Sequence, residues 1–199
     1  CLGCGLTPDL CACALMPRVS LATPIAIVQH VRETCKPTNT GRLLARMVEG
    51  AIVLPYGMRE PAFDSSPLEN PSVDWHVLFP REGASLLDPA ARPAGKRRIG
   101  LVLLDGSWSQ CARMSRRVPG VGRLPCVALP SVPPSFWTVR TQHREEGRST
   151  FEAAAHALGL LEGAAAVEPL RRAFAQVTAR VLYLKGALRT PEVPATWTV

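Results

Sequence analysis

The chain predicts an α/β fold, a parallel sheet with helices on both faces, joined to a small metal-binding segment at the start. Three observations predict it. Short apolar runs alternate with helical patterns from about residue 21 onward, and strand–helix alternation implies a parallel sheet covered by helices. The runs are apolar and end in polar residues, as buried parallel strands do. Two cysteine clamps, Cys1-x-x-Cys4 and Cys11-x-Cys13, open the chain only six residues apart.

Those clamps define residues 1–20. Zinc prefers four tetrahedral nitrogen or sulfur ligands, and paired cysteines let one turn of backbone supply two. The intervening residues are enough for the chain to double back and bring four thiolates to one ion. A disulfide pair suits a small secreted protein better than a chain with seven cysteines and a core-sized body. A lipid-anchored N-terminal cysteine has no other support. The absent initiator Met reads as a few trimmed or disordered residues. Residues 21–199 form the second unit.

Within it, Pro24-Ile25-Ala26-Ile27-Val28-Gln29-His30 reads as a strand. A helix over 41–49 follows, capped by Asn39 or Thr40, whose side-chain oxygen takes a free amide of the first turn, and closed by Gly50. Strands are expected at 51–54 and 74–79, separated by a Pro-rich loop. The strongest strand is 99–104, followed by a helix over about 107–117; a fifth strand falls at 125–129. After a Pro-rich stretch at 130–148 come helices at about 150–161 and 168–184. Leu170, Phe174, Val177, Val181 and Leu184 form an apolar stripe on the second of these.

Composition is that of an ordinary α/β domain, 47% hydrophobic and 20% charged. No apolar run approaches the ~20 residues of a membrane helix, and the start lacks the pattern of a signal peptide. Cys35, Cys111 and Cys126 lie apart and read as reduced thiols, which predicts the cytosol and no membrane partner. Residues 92–148 carry 11 of the 23 Lys and Arg against three acidic residues, so the net charge of +7 is concentrated there. Four thiolates on one zinc dication would lower that total to about +5. Arg outnumbers Lys by 20 to 3; its planar fork bonds two phosphate oxygens at once, although GC-rich coding also raises Arg. A basic segment of this kind favours a polyanionic partner, nucleic acid.

Ligands of such sheets sit beyond the carboxyl ends of the strands. Asp105-Gly106-Ser107-Trp108 falls there, directly after the strongest strand. Asp105 is either a reacting group or, like Ser107, a helix cap; Trp108 either stacks on a base or fills the core. Ser149-Thr150-Phe151-Glu152 has capping-box spacing, and its amides either hold an anion or simply begin a helix. His30 and Glu33 are either a functional polar pair or a surface coincidence. Arg113, Arg116 and Arg117 share one helical face, suited to phosphates or to solvent.

In order, the clamps, His30-x-x-Glu33, Thr38-Asn39-Thr40-Gly41-Arg42-Leu43, Leu104-Asp105-Gly106-Ser107-Trp108, Arg140 and Ser149-Thr150-Phe151-Glu152-Ala153 resemble the DTW-domain family of tRNA-uridine aminocarboxypropyltransferases. The resemblance runs from residue 1 to about 160 and departs at Ser107, where the family motif has Thr; serine keeps the hydroxyl. It implies transfer of the 3-amino-3-carboxypropyl group of S-adenosylmethionine to N3 of a tRNA uridine, giving acp3U and methylthioadenosine. It also implies a SPOUT-like fold with a C-terminal trefoil knot.

Under that fold, Leu78, Phe79, Leu104, Asp105, Leu129, Pro130, Arg140, Ser149 and Thr150 would surround S-adenosylmethionine. Arg140 and the amides around Ser149 are candidates for its carboxylate. Asp105, Ser107 and Trp108 are the catalytic candidates, with Asp105 taking the N3 proton or orienting the uridine. His30, Arg42, Arg113, Arg116 and Arg117 would meet tRNA, and Cys1, Cys4, Cys11 and Cys13 a structural zinc ion. Two other classes remain open. One is a SPOUT-type RNA methyltransferase, separable by its thioether product. The other is a non-catalytic zinc-containing RNA-binding protein, separable by S-adenosylmethionine binding.

Overall fold

A computed structural model describes residues 1–90, 97–131, 133–139 and 147–197. Its elements, in chain order, begin with strand β1 (Ile25–His30), a single helical turn α1 (Val31–Thr34), helix α2 (Thr40–Met47) and strand β2 (Ile52–Tyr56). There follow β3 (Val73–Leu78), the two-residue β4 (Ser85–Leu86), β5 (Arg98–Asp105), α3 (Trp108–Arg117), β6 (Cys126–Ala128), α4 (Thr150–Glu162) and α5 (Ala164–Leu184). The strands make one parallel six-stranded sheet in the order β2-β1-β5-β3-β6-β4.

Side chains alternate across a strand, and here the alternation assigns the helices to faces. Ile25 and Ile27 of β1 and Leu101 and Leu103 of β5 point to a core shared with α2, α4 and α5. Ala26, Val28, Val102 and Leu104 point to the opposite core, against Cys111 and Met114 of α3. Helices therefore cover both faces, as the strand–helix alternation predicts. The N-terminal segment belongs to the first core: Cys4, Leu6 and Ala12 are buried with Leu43, Leu44 and Met47 of α2.

Several boundaries differ from expectation. Asn39 is the α2 cap, its oxygen accepting from the Arg42 amide at 2.6 Å. The helix stops at Met47 instead of 49 because Val48 bridges to Val19 and the Glu49 amide bonds the Val19 carbonyl at 2.9 Å. The second strand runs to Tyr56 rather than ending at 54, because Pro55 and Tyr56 pair in register with Gln29 and His30. A proline is tolerated on this edge strand, where its missing N–H costs no ladder bond to a further neighbour.

The last helix begins at Ala164 rather than 168, so Pro169 lies inside it. Three alanines, strong helix formers, supply its first turn and start the helix ahead of the proline. Leu184 is 48% exposed and is not part of the buried stripe, since the helix ends one residue after Tyr183 turns outward. Strand β4 and the turn α1 were not predicted; both are too short to leave a periodic pattern.

Candidate functional site

Register brings the candidate residues together. Gln29, at the end of β1, pairs with Asp105 at the end of β5, and both side chains point to the α2–α4 face. There Asp105, 3% exposed, accepts hydrogen bonds from Gln29 Nε2 at 3.0 Å and Asn39 Nδ2 at 2.6 Å on one oxygen. Its other oxygen accepts from Thr150 Oγ1 at 2.8 Å. A Cβ on Gly41 would lie 2.7 Å from the carboxylate carbon, so only glycine lets α2 approach this closely. Asp105 thus ties two strand ends to the first turns of α2 and α4.

The residues just beyond Asp105 open onto a cavity of about 510 Å³, within the range of small-molecule sites. It lies at the carboxyl ends of β3, β5 and β6, three neighbouring strands. Leu78, Phe79 and Pro80 follow β3; Leu104, Gly106 and Trp108 surround the end of β5; Ala128, Leu129, Pro130 and Ser131 follow β6. Arg148, Thr150 and Ala153, around the start of α4, close the polar side. Phe79 and Trp108 pack as tilted rings with centroids 5.5 Å apart, giving an aromatic wall. Cys111 also lines the cavity, but burial and then the charge of Asp105 push its thiol up to about 12. It is no thiolate nucleophile near neutral pH.

Of the residues singled out in the sequence, Leu78, Phe79, Leu104, Trp108, Leu129, Pro130 and Thr150 line this cavity. Asp105 is not among its lining residues, lying behind Gly106 within its three donors. Ser107 is the cap of α3, its oxygen accepting from the Gln110 amide while its own amide bonds Gln110 Oε1 at 2.7 Å. Ser149 is consumed by its capping box with Glu152. Arg140 lies outside the described residues.

His30, with odd-and-even alternation turning it to the α3 side, accepts the Arg32 amide at Nδ1 (3.1 Å) and sits 3.4 Å from Gln110 Nε2. Burial and then Arg32 hold its pKa below the ordinary value. Arg113, Arg116 and Arg117 are exposed along α3, and among the described residues none forms an ion pair. Arg42 is separate from them: it is half-buried beside Gly5, and its Nη2 donates to the Pro37 carbonyl at 3.4 Å.

Sequence reasoning missed the second task of Glu152. Besides completing the cap, this buried carboxylate accepts from Ser135 Oγ (2.7 Å) and the Phe136 amide (3.1 Å). It thereby pins the loop after β6 onto α4, and Trp137 beside it is 2% exposed and stacked on Phe174. Capping-box spacing revealed the local bond only. Gln29 and Arg148 were also missed; a glutamine ending an apolar strand was the available signal for the first.

His156 on α4 is half-buried and, like His30, is held below its ordinary pKa, first by burial and then by Arg171. Both therefore favour the neutral form when folded. Their contribution is present above the unfolded value near pH 6.5 and is lost as pH falls through the lower folded values. Denaturant unfolding is expected to show that His156→Gln loses less stability between pH 7 and pH 5 than the unchanged protein; an unchanged slope would assign that pH dependence elsewhere.

At the other flank, the four sulfurs of Cys1, Cys4, Cys11 and Cys13 lie within 4.8 Å of one another. Cys1 and Cys13 Sγ are 3.5 Å apart, Cys4 and Cys11 Sγ 3.7 Å. Four thiolates on tetrahedral zinc, with Zn–S bonds of about 2.3 Å, stand about 3.8 Å apart. The donor set fits a metal ion. Burial pushes the Cys4 thiol up, but backbone hydrogen bonds from Ala12 and Leu6 together with those of the Cys11 and Cys13 thiols hold the group below its ordinary value.

The fold and these two centres define a class: a parallel α/β protein with a ligand-sized strand-end cavity and a cysteine cluster able to hold a metal ion. Within that class the chain belongs to the DTW-domain family, whose model matches residues 1–182. It is also 30% identical over 170 residues, 81% of its own length, to tRNA-uridine aminocarboxypropyltransferase 2 of Drosophila melanogaster, and spans 66% of that protein. No solved structure matches the chain.

Proposed function

We propose that the protein transfers the 3-amino-3-carboxypropyl group of S-adenosylmethionine to N3 of a uridine in tRNA. The observation that carries this reading is the cavity at the ends of β3, β5 and β6 in a chain of this family, with an aromatic wall at one side and Arg148 with Thr150 at another. A uridine N3–C bond forms as the Cγ–sulfonium bond breaks, methylthioadenosine leaves, and the N3 proton passes to a base or to water. Arg148 supplies the positive charge for the migrating group's carboxylate, which selects that group over the methyl. Trp108 and Phe79 stack on adenine or uracil. Asp105 acts by holding Gln29, Asn39 and Thr150, and hence the turn at Gly106, in place. A SPOUT-like arrangement with a C-terminal trefoil knot, which the family resemblance implies, is part of the same proposal.

Zinc in the four-cysteine site is part of the proposal; the ion there would be structural, because four thiolates leave no open position. Among the described residues no helix is long and apolar enough to cross a membrane. A tRNA substrate and unpaired cysteines favour the cytoplasm.

Incubation with tRNA and S-adenosylmethionine, followed by nucleoside mass spectrometry, tests the function. The expected products are acp3U and methylthioadenosine. S-adenosylhomocysteine with methylated RNA would establish a methyltransferase instead, and absence of S-adenosylmethionine binding would leave only RNA binding. A second expectation concerns α3. Changing Arg113, Arg116 and Arg117 together to Ala should weaken tRNA binding and flatten its salt dependence by somewhat under about one unit per lost phosphate contact. S-adenosylmethionine affinity should be spared. An unchanged slope would make this face ordinary solvated surface.

A further inference from the structure

Four thiolates around one zinc dication leave an excess of two negative charges on a partly exposed segment. Metal sites are tuned by the groups that surround their ligands, and charge left uncompensated there weakens retention of the ion. Helix α2 sends two cations toward the cysteine turns. A Cβ on Gly3 would lie 2.6 Å from Cys13 Sγ and 3.0 Å from Arg46 Nη2, so thiolate and guanidinium crowd the same point of the first clamp. A Cβ on Gly5, at φ +77°, would lie 3.2 Å from Arg42 Nη2. Glycines at these two positions leave the room that the arginines occupy.

Arg42 and Arg46 stand four residues apart, on one face of α2. Neither has a carboxylate partner among the described residues, although Glu49 nearby is 3.9 Å from Arg18. The Arg42 Nε is buried and has no hydrogen-bond acceptor. A buried guanidinium nitrogen without an acceptor is costly unless a negative centre lies close by.

We propose that Arg42 and Arg46 balance the charge of the four-cysteine metal centre and set how tightly it holds its ion. This rests on the reading of the cysteines as a zinc site, and it removes Arg42 from the tRNA-contacting set. The same helix carries Asn39, which donates to Asp105, and Gly41, which packs on it. One helix therefore reaches both the metal segment and the strand-end carboxylate.

Competition with a chromophoric chelator on the reduced, zinc-loaded full chain tests the proposal without any activity measurement. Arg46→Met keeps the length and apolar stem but removes the charge, and zinc affinity should fall by about 10-fold; with Arg42→Met added, the loss should approach about 100-fold. Arg46→Lys should recover most of the affinity. Arg172→Met, on the exposed face of α5, should match the unchanged protein. Thermal unfolding of the zinc-loaded variants separates lost affinity from lost fold. Wild-type affinity in both methionine variants would overturn the proposal, as would equal losses in Arg46→Met and Arg46→Lys, since charge would then not matter. If the unchanged protein holds no zinc, the site reading itself fails, and this inference with it.

Discussion

Replacing Asp105 by Ala should destabilise the protein by roughly 3–5 kcal/mol and abolish turnover. The carboxylate is buried and receives three side-chain donors, from Gln29, Asn39 and Thr150. Removing it strands donors that water reaches poorly, at about 1–3 kcal/mol each and not fully additively. For a chain of this size the midpoint of thermal unfolding should drop by roughly 10 °C. Asp105→Asn is the informative companion. An amide oxygen can still accept from Gln29 and Asn39 while the amide nitrogen donates to Thr150, whose hydroxyl rotates to accept. Fold and S-adenosylmethionine affinity should then survive, with turnover reduced by less than about 10-fold. A general base would instead lose about 10²–10⁴-fold. A folded Asp105→Asn protein with a loss of that size would show that Asp105 takes the N3 proton.

Removing the metal should have the second large effect. Apart from the Val19–Val48 bridge at its end, the segment of residues 1–20 has only the one-turn helices Pro8–Leu10 and Cys13–Leu15, which cannot hold themselves together. Yet Cys4, Leu6 and Ala12 are buried in the core with α2. Under the proposed zinc reading the ion staples them there, since a four-thiolate metal site couples ion binding to folding of this kind. Chelation under reducing conditions, or Cys4→Ser, should cost about 3 kcal/mol or more and lower the unfolding midpoint by ~6–12 °C. Hydrogen exchange should rise first over the segment and then along α2. Metal analysis returning no zinc on freshly purified, reduced protein would sink the assignment.

The legible parts of the fold were those written in short stretches of sequence. Strands β1, β3, β5 and β6 announced themselves as apolar runs, and Ser107, Asn39 and Ser149 as caps, because each signal needs only neighbours in the chain. Expectations failed where a distant partner intervened. Val19 ended α2 early by pairing with Val48, and β1 extended β2 through Pro55. The site divides the same way. The strand-end rule pointed to the turn after β5, and the family resemblance added Leu78, Phe79, Leu104, Leu129 and Pro130; these residues and Trp108 line one cavity, since parallel strands deliver their carboxyl ends to a common edge. Ser107 and Ser149 were equally visible as helix starts, but their hydroxyls are committed to caps.

By itself the sequence determined the α/β class, the two cysteine clamps, the helix starts and the basic stretch, all properties of spacing and composition. Tertiary structure alone decided which strands are neighbours, that Gln29 stands opposite Asp105, and that Glu152 grips a loop as well as its own helix. It alone set Arg46 beside Gly3 and Arg42 beside Gly5 in the cysteine segment. The partners of Asp105 lie 76, 66 and 45 residues away along the chain. Contacts at such separations depend on sheet order and register. A one-residue slip of β1 against β5 would send Gln29 to the opposite face, and no local pattern specifies against which strand that register is counted.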